Sequence, residues 1–165
     1  MEIWDGYNVD GTLAGVDLIR GEPIPDGIYN LVVEILVRHK DGEYLLMRRS
    51  LDKDAFPGYY EATAGGAAQK GEDPYSAALR ELREETGIYA DTLTEIRHLV
   101  FRHMICYQYL CLTDIPKDSV SLQEGETMGY KWIGEADFCA FVQSDKMIPT
   151  QKERYTPYFK ELGYL

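Results

Sequence analysis

The chain has 165 residues, 45% of them hydrophobic, enough to bury one core of ordinary size and to predict one domain spanning 1–165. Its net charge of −11, with no lysine- or arginine-rich tract, argues against a duplex nucleic-acid partner held by phosphate neutralisation. Cys106, Cys111 and Cys139 form no CxxC, no apolar run approaches the ~20 residues that span a bilayer, and no basic-then-apolar leader opens the chain, so the expectation is a cytoplasmic protein with reduced thiols and no membrane partner.

In chain order, residues 2–20 read as a β-hairpin turning at Asn8-Val9-Asp10-Gly11, within an amino-terminal extension of 1–27. A strongly apolar strand over 28–39 turns at Lys40-Asp41-Gly42 and returns over 43–49. A polar connection ends in Phe56-Pro57-Gly58, and 59–64 reads as a short strand leading into Gly65-Gly66, whose missing side chains let backbone approach a ligand closely. Asp73 before Pro74, and Gly87 after Thr86, predict a capped helix over 74–86. Strands over 93–104 and 105–113 follow, then a mobile loop over 116–129, a strand over 130–133 and a helix over 135–143. Thr156-Pro157 caps a last short helix. Strands and helices mix without regular βαβ alternation, which predicts an α+β fold with a mixed sheet.

The 74–86 helix carries the chemistry. At helical spacing Tyr75, Leu79, Leu82 and Thr86 share one stripe, while Glu81, Glu84 and Glu85 occupy another face with Ala77 and Ala78 beside them. A solvated acidic face is the plain reading of such a cluster. Position speaks against it, because anions in the second half of a helix oppose the macrodipole at about 0.3–1 kcal/mol each. Were the face partly buried, neighbouring carboxylates would repel by about 3 kcal/mol per pair at an effective dielectric of about 20. A divalent cation relieves that repulsion. Hard oxygen ligands without a nearby Cys or His cluster favour Mg²⁺ or Mn²⁺, ions that share their coordination with substrate phosphates.

Residues 66–88 read Gly66, five residues, Glu72, seven residues, then Arg80-Glu81-Leu82-Arg83-Glu84-Glu85-Thr86-Gly87-Ile88. A chance match at a given start is on the order of one in a billion from average residue usage. The pattern resembles the Nudix box, with every required position filled. The resemblance implies an α/β/α sandwich around a central mixed sheet. It also implies metal ligation by Glu81, Glu84, Glu85 and the backbone carbonyl of Gly65, and a Glu72–Arg80 pair that holds the loop to the helix. The implied reaction is hydrolysis of a diphosphate linkage in a small-molecule substrate, a nucleoside diphosphate joined to another group, with metal activating water. Glu81, Glu124 and Glu126 remain alternatives for the general base. Arg48 and Arg49 stand near where relatives carry a phosphate-contacting arginine, or else form an ordinary basic strand end. Tyr59, Tyr60, Tyr130 and Trp132 either stack a base or pack in the sheet.

Beyond the box, the opening hairpin, Phe56-Pro57-Gly58-Tyr59-Tyr60 and Tyr155-Thr156-Pro157-Tyr158-Phe159 resemble the isopentenyl-diphosphate isomerase branch of this superfamily. The isomerases' catalytic cysteine and metal-binding histidine are replaced here by Gly65 and Ala67, which argues against isomerisation. Cys106, in an apolar strand run, reads as a core thiol. His39 ends a strand, and His98 and His103, five apart in one expected strand, point to opposite faces. The rival of another class is a non-catalytic nucleotide sensor, whose usual mark, a lost box glutamate, is missing. Nucleoside di- or triphosphates, nucleotide sugars and prenyl diphosphates stay open as substrates, as does the oligomeric state.

Overall fold

A computed structural model describes all 165 residues. The hairpin strands β1 (Ile3–Tyr7) and β2 (Leu13–Ile19) form a separate two-stranded antiparallel sheet. The longest apolar run becomes β3 (Asn30–His39), the central strand, followed by β4 (Tyr44–Arg49). These two register with each other only at Arg38↔Tyr44, and beyond that rung they part to admit residues 60–67.

The segment expected as one strand over 59–64 is therefore two. β5 (Tyr60–Glu61) pairs with β4, and β6 (Ala64–Ala67) pairs with β3. Buried Thr63 holds the fork: its hydroxyl donates to the Leu45 carbonyl at 2.7 Å and accepts the Val37 N–H at 3.0 Å. The Gln151 side-chain amide bonds both the N–H and the carbonyl of Ala62, at 3.1 and 3.3 Å. Side chains thus satisfy backbone groups that the interrupted ladder leaves without partners.

The box helix α1 (Pro74–Thr86) has the expected bounds, with Asp73 accepting the Ser76 N–H at 2.8 Å and Gly87 in the left-handed region at φ 73°. Its packed face departs from the expected stripe. Ala77, Ala78, Leu82 and Thr86 are buried, whereas Tyr75 is 37% exposed. Two alanines on the contact side let the helix settle close to the sheet, which turns Glu81 and Glu85 inward.

β7 (Thr94–Phe101) and β8 (Met104–Thr113) form a tight antiparallel hairpin, so His103 sits in the turn rather than in a strand with His98. β8 runs parallel to β3 from Asn30↔Met104 to His39↔Thr113. The connection over 116–129 carries a 3₁₀ turn at Lys117–Ser119, and its Ser121 N–H bonds the Thr86 carbonyl at 2.9 Å, satisfying the end of α1. β9 (Thr127–Ile133) then pairs with β4.

The last elements are α2 (Glu135–Gln143) and α3 (Pro149–Glu161). α3 is a correction: it begins at Pro149, not at Thr156-Pro157, and carries Pro157 in its interior. Pro149 at the first turn is the true start signal. Burial of Tyr155 and Phe159 on the sheet outweighs the local cost of the internal proline.

Strand alternation divides the core. Val33, Ile35 and Val37 of β3 and Leu45 and Met47 of β4 pack with α1; Leu36, Tyr44 and Leu46 pack with Phe138 of α2 and Tyr155 and Phe159 of α3. The result is the expected α+β sandwich, with α1 on one face of a mixed seven-stranded sheet and α2 and α3 on the other. No helix is long and apolar enough to cross a membrane.

Candidate active site

Two glycines set how closely α1 approaches the sheet. A Cβ on Gly66 would lie 2.4 Å from Glu81 Oε1, and one on Gly65 would lie 2.5 Å from the Val33 carbonyl oxygen. Gly65 tolerates no side chain in this backbone, and one at Gly66 would push the Glu81 carboxylate aside, so the Gly65-Gly66 pair is the sequence condition for a carboxylate seated against β6.

The groove so formed has a volume of about 470 Å³. Six glutamates and four cationic side chains line it, an excess of two negative charges. Each cation already has a carboxylate. Arg20 bonds Glu2 at 2.9 Å, Arg49 bonds Glu61, and Lys53 bonds Glu126. Arg80 forks onto Glu72 through Nε and Nη2 at 2.7 and 2.9 Å, and its Nη1 reaches Glu81 at 2.7 Å and Glu84 at 3.1 Å. It also donates to the Ala67 carbonyl at 3.1 Å, tying the loop to the helix, and the hydrogen bonds from Arg80 hold the Glu72 carboxyl below its ordinary range.

Glu85 is the one groove carboxylate with no cationic partner. Its Oε2 accepts only the Gly65 N–H, at 3.2 Å. Burial, then the charges of Glu61 and Glu81, push its carboxyl well above the usual range. Burial also raises Glu81 and Glu61, opposed by Arg80 and Arg49 respectively. Removing these carboxylates from water is unfavourable for their charged forms, and placing them together adds repulsion. A hard divalent cation fits this donor set. No three acidic, thiol or imidazole groups converge on one point, and Arg80 Nη1 bridges Glu81 and Glu84.

The remaining expected site residues separate cleanly. Glu126 lines the groove and Glu124 does not. Arg49 lines the groove, whereas Arg48, its strand neighbour, does not line it and donates to the Gly58 carbonyl at 3.1 Å. The four aromatic candidates stay out of the groove. Tyr130 and Trp132 pack against the α1-side core, Tyr60 packs against the α3-side core, and Tyr59 meets Phe56 edge-on. Several groove residues were missed, and three are instructive. Trp4 and Arg20 come from the hairpin, which docks through Asp5 to the Gly71 N–H at 2.7 Å and through Asp17 to Lys70. The third, Glu61, had a legible signal: an acid in a short strand directly before Gly65-Gly66.

The NUDIX domain model matches residues 29–159. The chain belongs to the Nudix family. A Nudix hydrolase of Listeria monocytogenes is 30% identical over 152 residues, covering 90% of this chain and 89% of that protein. Among solved structures, DR0079 from Deinococcus radiodurans superposes with a TM-score of 0.72 at 23% identity, covering 88% of this chain and 91% of that one. The NUDIX domain of Shewanella oneidensis NrtR, solved with ADP ribose, gives a TM-score of 0.56 at 20% identity over 68% of this chain and 77% of its own. As a Nudix protein the chain is a pyrophosphohydrolase, and Nudix hydrolases generally use divalent metals such as Mg²⁺.

Proposed function

We propose that this Nudix protein is a Mg²⁺- or Mn²⁺-dependent hydrolase of the diphosphate linkage in a nucleoside diphosphate derivative or related organic pyrophosphate. The observation that carries the reading is Glu85, a carboxylate without a basic partner, set beside Glu81 in a net-negative groove. Glu81, Glu84 and Glu85, with the Gly65 carbonyl, are the residues that would hold the cation. When bound, the cation supplies polarisation of phosphoryl oxygens and a lowered pKa for coordinated water.

The chain's own residues do the rest. Arg49, on the groove wall, contacts a phosphate once it exchanges Glu61 for substrate oxygen. Glu126, held by Lys53, is the preferred general base, because it faces the groove and Glu124 does not. Arg80 and Glu72 fix the loop carrying Gly65 to Ala67, so the donors are placed before substrate arrives.

Hydrolysis on an isomerase-like scaffold is favoured over isomerisation on two grounds. A side chain at Gly65, where the isomerases carry their thiol, would collide with the Val33 carbonyl oxygen at 2.5 Å. The Cys106 thiol is fully buried, and burial and then Glu34 push its pKa up, away from the thiolate. The three free cysteines support a cytosolic setting. ADP ribose, bound by the Shewanella domain, belongs to the proposed substrate class.

The test is Mg²⁺-dependent hydrolysis, read as nucleoside monophosphate, pyrophosphate, phosphate or phosphomonoester product, across nucleoside triphosphates, nucleotide sugars, dinucleoside polyphosphates and isopentenyl diphosphate, beside the Glu84→Gln/Glu85→Gln protein. Hydrolysis that vanishes in the double variant supports the hydrolase. Hydrolysis that persists undiminished overturns the assignment of these carboxylates.

A further inference from the structure

A second cavity, of about 270 Å³, opens beside the catalytic groove and shares Val32, Arg49, Glu61, Gly65 and Gly66 with it. Its character differs. Six of its fourteen lining residues are hydrophobic, against three of nineteen in the groove, and they include Phe56 from the 51–58 connection and Ile148 just before α3. A phosphate chain suits the first compartment and an organic group the second.

Arg154 of α3 stands in the wall of this second cavity. Its Nε and Nη2 both donate to Glu34 Oε1, the Nε bond at 3.0 Å, and its guanidinium lies 5.4 Å from the Phe101 ring centroid. Glu34 is itself fixed, since its Oε2 accepts from Gln108 Nε2 at 3.0 Å and from Cys106 Sγ at 3.3 Å. A planar group bonded on one edge and stacked on one face cannot turn. Its Nη1 makes no hydrogen bond within the protein and is not sealed from solvent. Arg154 thus lines the cavity with its guanidinium anchored and its Nη1 N–H groups unused within the protein, available to an acceptor.

Unlike Arg49, whose partner carboxylate on Glu61 has no other hydrogen bond, Arg154 is paired with a carboxylate that Gln108 and Cys106 also hold, so it does not exchange that partner for another phosphate. A neutral acceptor such as a carbonyl or hydroxyl is the complement that remains. A hydrocarbon chain laid against Nη1 would strip its water and return no bond, the asymmetry by which hydrogen-bonding sites reject analogues that lack the polar group. Phe56, buttressed edge-on by Tyr59 with ring centroids 5.4 Å apart, supplies the apolar side of the same cavity.

We infer that this cavity receives the organic group of the diphosphate substrate, and that Arg154 selects a ring bearing a carbonyl or hydroxyl acceptor, as on a nucleobase or sugar, over an isoprenoid chain. The inference rests on the hydrolase reading for the placement of the phosphates. Arg154 is a specificity residue, distinct from the carboxylates that carry the chemistry.

The test compares ADP ribose and UDP-glucose with isopentenyl and geranyl diphosphate, in Mg²⁺, by turnover and by calorimetric binding. The variants are Arg154→Lys, which keeps the charge and loses the fork, and Glu34→Gln/Arg154→Met, which removes the guanidinium without stranding a buried carboxylate. Thermal melts select the folded variants. The wild-type protein is expected to favour the polar-ring compounds. The double variant is expected to cut that preference about tenfold or more, through KM and Kd rather than kcat. An unchanged preference in either folded variant, or a wild-type preference for the isoprenoids, overturns the inference while leaving the hydrolase intact. Arg154-dependent binding preference without turnover sustains the subsite and overturns the hydrolase reading. Failure of every compound both to bind and to turn over overturns both.

Discussion

Glu34 and Glu85 approach the same rung of the sheet, the Glu34↔Gly65 pair of the β3–β6 ladder, from opposite sides. On the α3 side, Glu34 is buried and fully engaged, by an arginine fork, an amide and a thiol. On the α1 side, Glu85 has one amide N–H and three repelling carboxylates. A buried acid that the protein has satisfied serves as a fixed anchor for its neighbours. One left without a cation marks a place where a cation is to come from outside.

The comparison breaks most directly by removing the partner of the satisfied acid. Arg154→Met leaves Glu34 buried without a cation, and should cost about 3–5 kcal/mol in urea unfolding. A cost under about 1 kcal/mol would mean that Glu34 relaxes to solvent. On the other side, Glu85→Gln should lower kcat by about 10²–10³-fold, the range for one lost electrostatic stabiliser, without lowering the melting temperature of the metal-free protein. A destabilised variant would make Glu85 a structural acid after all.

Two smaller effects sharpen the contrast. Gly66→Ala puts a methyl where the Glu81 carboxylate lies, 2.4 Å from Oε1 in this backbone, and should displace that carboxylate and weaken Mg²⁺ binding in a titration followed by calorimetry while costing no more than about 1 kcal/mol of stability. A pH dependence follows from Glu85. Its folded pKa is raised, so the protonated form is the one favoured by folding. Its contribution is complete below the unfolded value of about 4.3 and is lost as pH rises through the folded one. Metal-free protein should therefore lose melting temperature as pH rises out of the carboxylate range, Mg²⁺ should restore it most at the alkaline end, and Glu85→Gln should flatten the profile. A profile identical in wild type and variant would assign the pH dependence elsewhere.

How much of this was legible depended on how local the cause was. α1 and its caps could be read because Asp73, Pro74 and Gly87 act on their immediate neighbours. β3 could be read because its apolar run is uninterrupted. The facing of Arg49 against Arg48 needs the strand's register, which one sequence leaves undetermined. Arg154 and Glu34 are 120 residues apart, and no pattern along the chain joins them. α3 was misplaced because Pro157 is a local stop signal overruled by the burial of Tyr155 and Phe159. The groove wall made by Trp4 and Arg20 went unseen for the same reason, since docking of the hairpin depends on Asp5 and Asp17 meeting a loop more than fifty residues on.

That hairpin has a kinetic consequence. It forms its own small sheet, most of β2 is exposed, and a backbone pair between Tyr7 and Tyr29 joins it to the rest beside the Asp5 and Asp17 contacts. Such a unit opens at a lower free energy than the strands beneath it. One side of the active site can thus unlatch while the core stays closed, and amides of β1 and β2 should exchange with solvent deuterium well ahead of those in β3 and β8.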